Sequence, residues 1–151
     1  MNLETSATRQ PDVLLIEDSE HDAELTLRVL QRHEFARSVV WVRDGVEALD
    51  YVFGDEEQPG LMAAPRVVLL DIKMPRMDGH QVLRRFKGDP RSRHIPVVIM
   101  SSSRVERDIL ESLSDGANSY VVKPVNFDDF TETVRQISQY WLTVNETAGS
   151  R

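Results

Sequence analysis

The chain has 151 residues, of which 40% are hydrophobic and 28% charged, with a formal net charge of −7 and no cysteine. That length is enough for one domain with a real core, and the missing cysteines exclude disulfides, thiolate metal centres and thiol nucleophiles and suggest a cytoplasmic location. The acidic balance argues against a general nucleic-acid binder, which needs a basic face, and no apolar run approaches the ~20 residues of a membrane span.

Residues 1–10 (MNLETSATRQ) lack the apolar centre of a signal peptide and read as a flexible leader. Residues 12–16 (DVLLI) predict a buried strand, and the polar turn Glu17-Asp18-Ser19 follows. Ala23, Leu27 and Leu30 then recur at helical spacing. Residues 38–42 (SVVWV) predict a second strand through their β-branched and aromatic content. A helix over 45–53 places Val46, Leu49 and Phe53 on one side. Residues 54–65 (GDEEQPGLMAAP) are a loop by their Gly, Pro and charge content.

The third strand is expected at 66–70 (RVVLL), followed by a turn over 71–77, a helix over 79–87 and the linker GDPRSRH. Asp78 and Gly79 read as the turn and cap that open that helix. The fourth strand is predicted at 96–100 (PVVIM), with a helix over 104–113 carrying Val105, Ile109 and Leu113 in register. The fifth is predicted at 119–122 (SYVV). Phe127, Phe130, Val134, Ile137 and Trp141 mark a last helix, so the domain should fill 11–144 and leave 145–151 as a tail. Uniformly apolar strands alternating with helices belong to a parallel sheet covered on both faces. Five such units predict a doubly wound, flavodoxin-like α/β fold with strand order 2-1-3-4-5.

In such a sheet ligands sit at the carboxyl ends of the strands, beside the switch in strand order. Glu17 and Asp18 follow strand 1, Asp71 follows strand 3, Ser101 and Ser102 follow strand 4, and Lys123 and Pro124 follow strand 5. Strands 1 and 3 are neighbours in that order, so three carboxylates should meet. Like charges a few ångströms apart repel by about 4 kcal/mol per pair at a surface-like dielectric. An oxygen-only pocket open to water suits Mg²⁺ as the offset. The expected direct ligands are Asp18, Asp71 and the backbone carbonyl of Lys73, with Glu17 acting through a water. A carboxylate nucleophile can form an acyl phosphate, and its oxygens need cations and donors; Lys123 and the Ser101 hydroxyl stand in place to supply them.

These residues resemble the two-component response-regulator receiver domains. The matching stretches are Ile16 to Asp18, Leu70 to Gly79 (LDIKMPRMDG), Pro96 to Ser101 and Gly116 to Pro124 (GANSYVVKP), in order and over nearly the whole chain. The resemblance implies that Asp71 is the phosphoacceptor, Glu17 and Asp18 the acidic pair, Ser101 the switch hydroxyl, Tyr120 the rotating aromatic, and Lys123 the site lysine followed by a cis bond to Pro124. Serine stands at 101 where many members have threonine. Lys73 is less usual at its position and bears on autodephosphorylation.

Each residue alone has a plainer role. Asp18 or Ser19 suits a helix cap, Asp71 a turn, Ser101 a local backbone bond, Tyr120 an edge-strand packing position and Lys123 a solvated surface. Their coincidence at one end of one sheet favours the site. His21, His33, His80 and His94 fall in no ligand spacing and read as surface residues.

With no output domain expected after the last helix, signalling would run through protein contacts. Tyr140, Trp141 and Leu142 are candidates for a homodimer interface, together with the fourth helix and fifth strand. The residues after strand 1 (EDSEHDAELTL), the long loop before strand 3 and the terminal Tyr140-Trp141-Leu142 resemble stand-alone receivers paired with bacterial and cyanobacterial phytochromes, implying a phytochrome-type histidine kinase as phosphodonor. Membrane and nucleic-acid partners are not expected, nor is enzymatic action on other substrates. Three alternatives are weaker. A haloacid-dehalogenase-type aspartyl-phosphate hydrolase wants an acid where Lys73 stands, and Glu17-Asp18 would repel a flavodoxin cofactor's phosphate. A degenerate receiver acting only as a binding module would not need the intact acid, hydroxyl and lysine set, which a phosphate sink would still need.

Overall fold

Five short apolar runs become five parallel strands: β1 (Val13–Ile16), β2 (Val39–Val42), β3 (Val67–Leu70), β4 (Val97–Ser101) and β5 (Ser119–Val122), in the order β2-β1-β3-β4-β5. This is the predicted flavodoxin-like arrangement. The description comes from a computed structural model and covers residues 11–54, 57, 60 and 64–146. The expected leader, most of the loop before β3 and residues 147–151 of the expected tail lie outside it.

Crossover helices connect the strands: α1 (Glu20–Arg32), α2 (Gly45–Phe53), α3 (Gly79–Gly88), α4 (Glu106–Ser114) and α5 (Phe127–Gln139), the last continuing into a π-helical turn, Tyr140–Val144. Alternate strand residues face opposite layers. Leu14, Ile16, Val68, Leu70 and Ile99 pack with Val82, Leu83 and Phe86 of α3 and Ala48 and Leu49 of α2. Val13, Leu15, Val67, Leu69 and Val98 pack on the other side with Ala23, Leu27 and Leu30 of α1. A fully buried side chain of the Phe86 class contributes roughly 1.5–3 kcal/mol by area alone. Among the described residues no helix is long and apolar enough to cross a membrane.

Polar caps set where the helices begin. Ser19, not Asp18, caps α1, accepting from the Asp22 N–H. Asp78 and Gln81 form a reciprocal capping box at α3, as the turn-and-cap expectation requires. Gly79 has no room for a side chain, because a Cβ there would lie 2.5 Å from the Asp71 carbonyl oxygen.

Three expectations need correction. Leu142 is 3% exposed and packs with Val13, Leu15 and Leu27, so it belongs to the domain's own core and not to an interface. The reason is register: Phe130, Val134, Ser138 and Leu142 recur every four residues and all are buried, while Trp141 lies beside them half-buried and Tyr140 points outward. Val105 and Leu113 do not line a core either; both are exposed, and the fully buried position of α4 is Ser112. That helix flanks β5, whose residues are themselves only half-buried, so little sheet surface is left to cover its stripe. His80 is buried where α3 faces α4, unlike His21, His33 and His94, which are exposed.

Candidate functional site

The register of the central strands brings the candidate residues together. Ile16 pairs with Leu70, so the residues that follow, Glu17 and Asp71, emerge side by side. Asp71 donates its backbone N–H to the Ile16 carbonyl, and Glu17 donates to Val42. The Trp41 indole N–H holds the Glu17 carbonyl at 2.8 Å. Glu17, Asp18 and Asp71 each present a carboxylate oxygen, and these lie within 4.8 Å of one another. Glu17 and Asp71 are buried, whereas Asp18 is exposed.

Lys123 closes the pocket from β5. Its Nζ stands 2.7 Å from Glu17 Oε1, 2.9 Å from Asp22 Oδ2 and 3.6 Å from Asp71 Oδ2. Its backbone N–H bonds the Ser101 carbonyl, which locks the ends of β4 and β5 together. The Lys123–Pro124 bond is trans, not cis as the resemblance implies; trans is the intrinsic preference of such bonds by about 0.5–1 kcal/mol. Ser101 is fully buried beside this end of the sheet, and its Oγ accepts from the Ser103 N–H. Tyr120 is half-buried, and its hydroxyl donates to the Ser103 carbonyl at 3.0 Å. The expected switch pair therefore meets on one loop, two residues past Ser101.

Burial dominates the site's electrostatics. It pushes the Asp71 carboxyl up from its ordinary value even though Lys123 pulls it down. Burial and then the Asp71 charge push Glu17 up to about 8, despite the Lys123 contact. Burial alone would depress Lys123, but Asp71, Glu17 and Asp22 together outweigh it and hold its ammonium ionised. So the lone lysine is saturated by surrounding acids, and two of those acids remain under-compensated. That is the condition in which a divalent cation fits, and the oxygen-only donors match Mg²⁺ or Mn²⁺.

Several participants were not singled out from the sequence. Asp22 shares Lys123 with Glu17; its signal is a four-residue spacing from Asp18, one turn into α1. Asp108 on α4 accepts from the Ser103 hydroxyl at 2.6 Å and pairs with Lys73 Nζ at 3.5 Å. Lys73 thus turns its ammonium toward α4, while its backbone N–H donates to Asp71 Oδ1 at 3.3 Å. Asp44 caps α2 and grips the Arg76 guanidinium, with Arg76 held at a φ of 64° in the turn after Asp71. No local pattern announces that pair, which is separated by 32 residues.

The receiver domain of response regulators matches residues 13–135. A probable methanogenesis regulatory protein, FilR2 of Methanothrix harundinacea, is 41% identical over 91% of this chain and 87% of its own. Response regulator Rcp1 of Synechocystis is 32% identical over 86% of this chain and 88% of its own. The Mn²⁺-bound crystal structure of Rcp1 superposes with a TM-score of 0.82, at 31% identity over 89% of this chain and 96% of that one. The phosphorylated cyanobacterial phytochrome response regulator RcpA superposes with a TM-score of 0.83, at 33% identity over 93% of this chain and 99% of that one.

Proposed function

This chain belongs to the response-regulator receiver family, and from that premise we propose that Asp71 accepts a phosphoryl group from a sensor histidine kinase of the phytochrome type in a Mg²⁺-dependent reaction. The observation that carries the proposal is the Asp71 carboxylate, buried yet 3.6 Å from Lys123 Nζ and grouped with Glu17 and Asp18. The phytochrome assignment is supported by the likeness to RcpA, which is itself a phytochrome response regulator.

Asp18, Asp71 and the Lys73 carbonyl would hold the ion, with Glu17 reaching it through water. When bound, the ion neutralises charge on the carboxylates and on a phosphoryl oxygen. An Asp71 oxygen forms the new bond to phosphorus as the bond from phosphorus to the donor's imidazole nitrogen breaks, its electron pair leaving with the imidazole. Lys123 then turns from Asp71 to a second phosphoryl oxygen, while Glu17 and Asp22 keep its ammonium in place. Ser101 rotates its hydroxyl to the third, releasing its bond from Ser103. Because the Tyr120 hydroxyl hangs on the same Ser103, the aromatic ring follows the loop. The output is a changed α4–β5–α5 surface, read by a partner protein or by a second copy of the chain.

The test is incubation with acetyl phosphate and Mg²⁺. An acid-stable, hydroxylamine-labile phosphoryl group should form, and it should be lost on chelation and in Asp71→Asn. Labelling that persists under chelation would contradict the metal's role.

A further inference from the structure

The facing sides of α3 and α4 carry a cluster whose members differ from the Glu17–Asp18–Asp71 pocket. His80 and Arg84 lie one turn apart on α3, and Asp108 and Glu111 of α4 line up with Asp115, the residue that caps its C-terminus. His80 is 7% exposed, and neither ring nitrogen has a hydrogen-bond partner. A buried histidine ordinarily satisfies at least one. Instead Nδ1 stands 3.6 Å from Glu111 Oε2 and Nε2 stands 3.8 Å from Asp108 Oδ1, both beyond bonding reach.

We propose that His80, Glu111 and Asp115 form a second cation site, between α3 and α4, that takes a zinc-type transition-metal ion. Their ligand atoms all lie within 4.8 Å of one another. Two ligands about 2.0–2.1 Å from a tetrahedral zinc stand roughly 3.4 Å apart, close to the 3.6 Å between Nδ1 and Glu111. One imidazole with carboxylates suits zinc better than Mg²⁺, which takes oxygen. The outer partner is also in place: a metal-bound histidine gives its other N–H to a carboxylate, and Asp108 faces Nε2.

The carboxylate pair already attracts a cation. Arg84 Nη1 lies 3.3 Å from Glu111 Oε2 and 3.1 Å from Asp115 Oδ2. It is half exposed, so it can withdraw into solvent when an ion enters. Arg84 is therefore a competitor for the site, and this separates a metal site from a purely structural ion-pair cluster. In a structural cluster Arg84 would only stabilise the helices.

The experiment titrates Zn²⁺ calorimetrically into the full chain at saturating Mg²⁺, which fills the Asp71 pocket, and follows histidine ¹⁵N shifts by NMR. One zinc equivalent should bind and move the His80 ring resonance. His80→Gln and Glu111→Gln should each weaken binding by at least about tenfold, the loss seen on removing even an outer partner. Arg84→Gln should tighten it, and thermal melts check that all three variants fold. No zinc heat beyond the Mg²⁺-competed site would overturn the proposal. So would undiminished binding in a folded His80→Gln or Glu111→Gln chain, or Arg84→Gln binding no tighter than the parent.

Discussion

Glu17 makes the site's chemistry depend on pH. Its folded value of about 8 lies above the ordinary 4.5, so the folded metal-free chain keeps a proton that the unfolded chain has lost across that window. Stability must then fall as pH rises from one value to the other. A cation entering the pocket replaces that proton, so its binding strengthens over the same range. The gain in melting temperature on adding Mg²⁺ is expected to be larger at pH about 9 than at about 6. Equal gains in thermal melts would contradict the burial argument. Asp71 has the same sign of shift, again from burial. Asp71→Asn should therefore raise the melting temperature of the metal-free chain, by about 2–4 °C for each 1 kcal/mol of relieved burial cost. At this scale the sequence was informative where motifs sit directly after strands, as with Asp71 and Lys123. It was mute on the links from Asp22 to Lys123, from Asp108 to Lys73 and from Asp44 to Arg76, whose partners lie far along the chain.

Elements place these residues, and a tight fit at the site is where α3 starts against the end of β3. The Gly79 N–H bonds the Ile72 carbonyl at 2.8 Å, and a side chain at 79 would strike the backbone of Asp71. Gly79→Ala should lower stability by about 1–3 kcal/mol and slow phosphorylation of Asp71, measured by denaturant melts and by acetyl phosphate labelling. A variant that labelled at the parental rate would show that the strand end tolerates displacement. The existence and order of the elements were legible because apolar spacing differs between strand and helix. The α4 stripe was not, since periodicity reports a helix but cannot say whether anything covers its apolar face. Val105 and Leu113 keep that spacing and remain exposed. Leu142 shows the converse, with a residue beside the expected stripe drawn inside as α5 widens into its π-helical turn.

For the molecule as a whole, signalling requires a surface that changes when the pocket is filled. The loop from Ser101 to Ser103 connects the two, because Tyr120 and Asp108 both bond Ser103. Exposed Leu110, Leu113, Phe127 and Tyr140 give the α4 and α5 side an apolar character that suits self-association. If that face joins two copies of the chain, Tyr140→Glu should abolish the dimer in sedimentation without lowering the melting temperature. Leu142→Ala should instead lower stability by about 2–5 kcal/mol and leave association intact in the fraction that stays folded. A parental dimer in Tyr140→Glu would remove that residue from any interface.

If Asp71 carries the phosphoryl group, borohydride trapping will mark that residue. After acetyl phosphate and Mg²⁺, reduction of the acyl phosphate followed by peptide mass spectrometry should find homoserine at position 71. Homoserine at another aspartate, or phosphorylation with none at 71, would place the phosphoacceptor elsewhere.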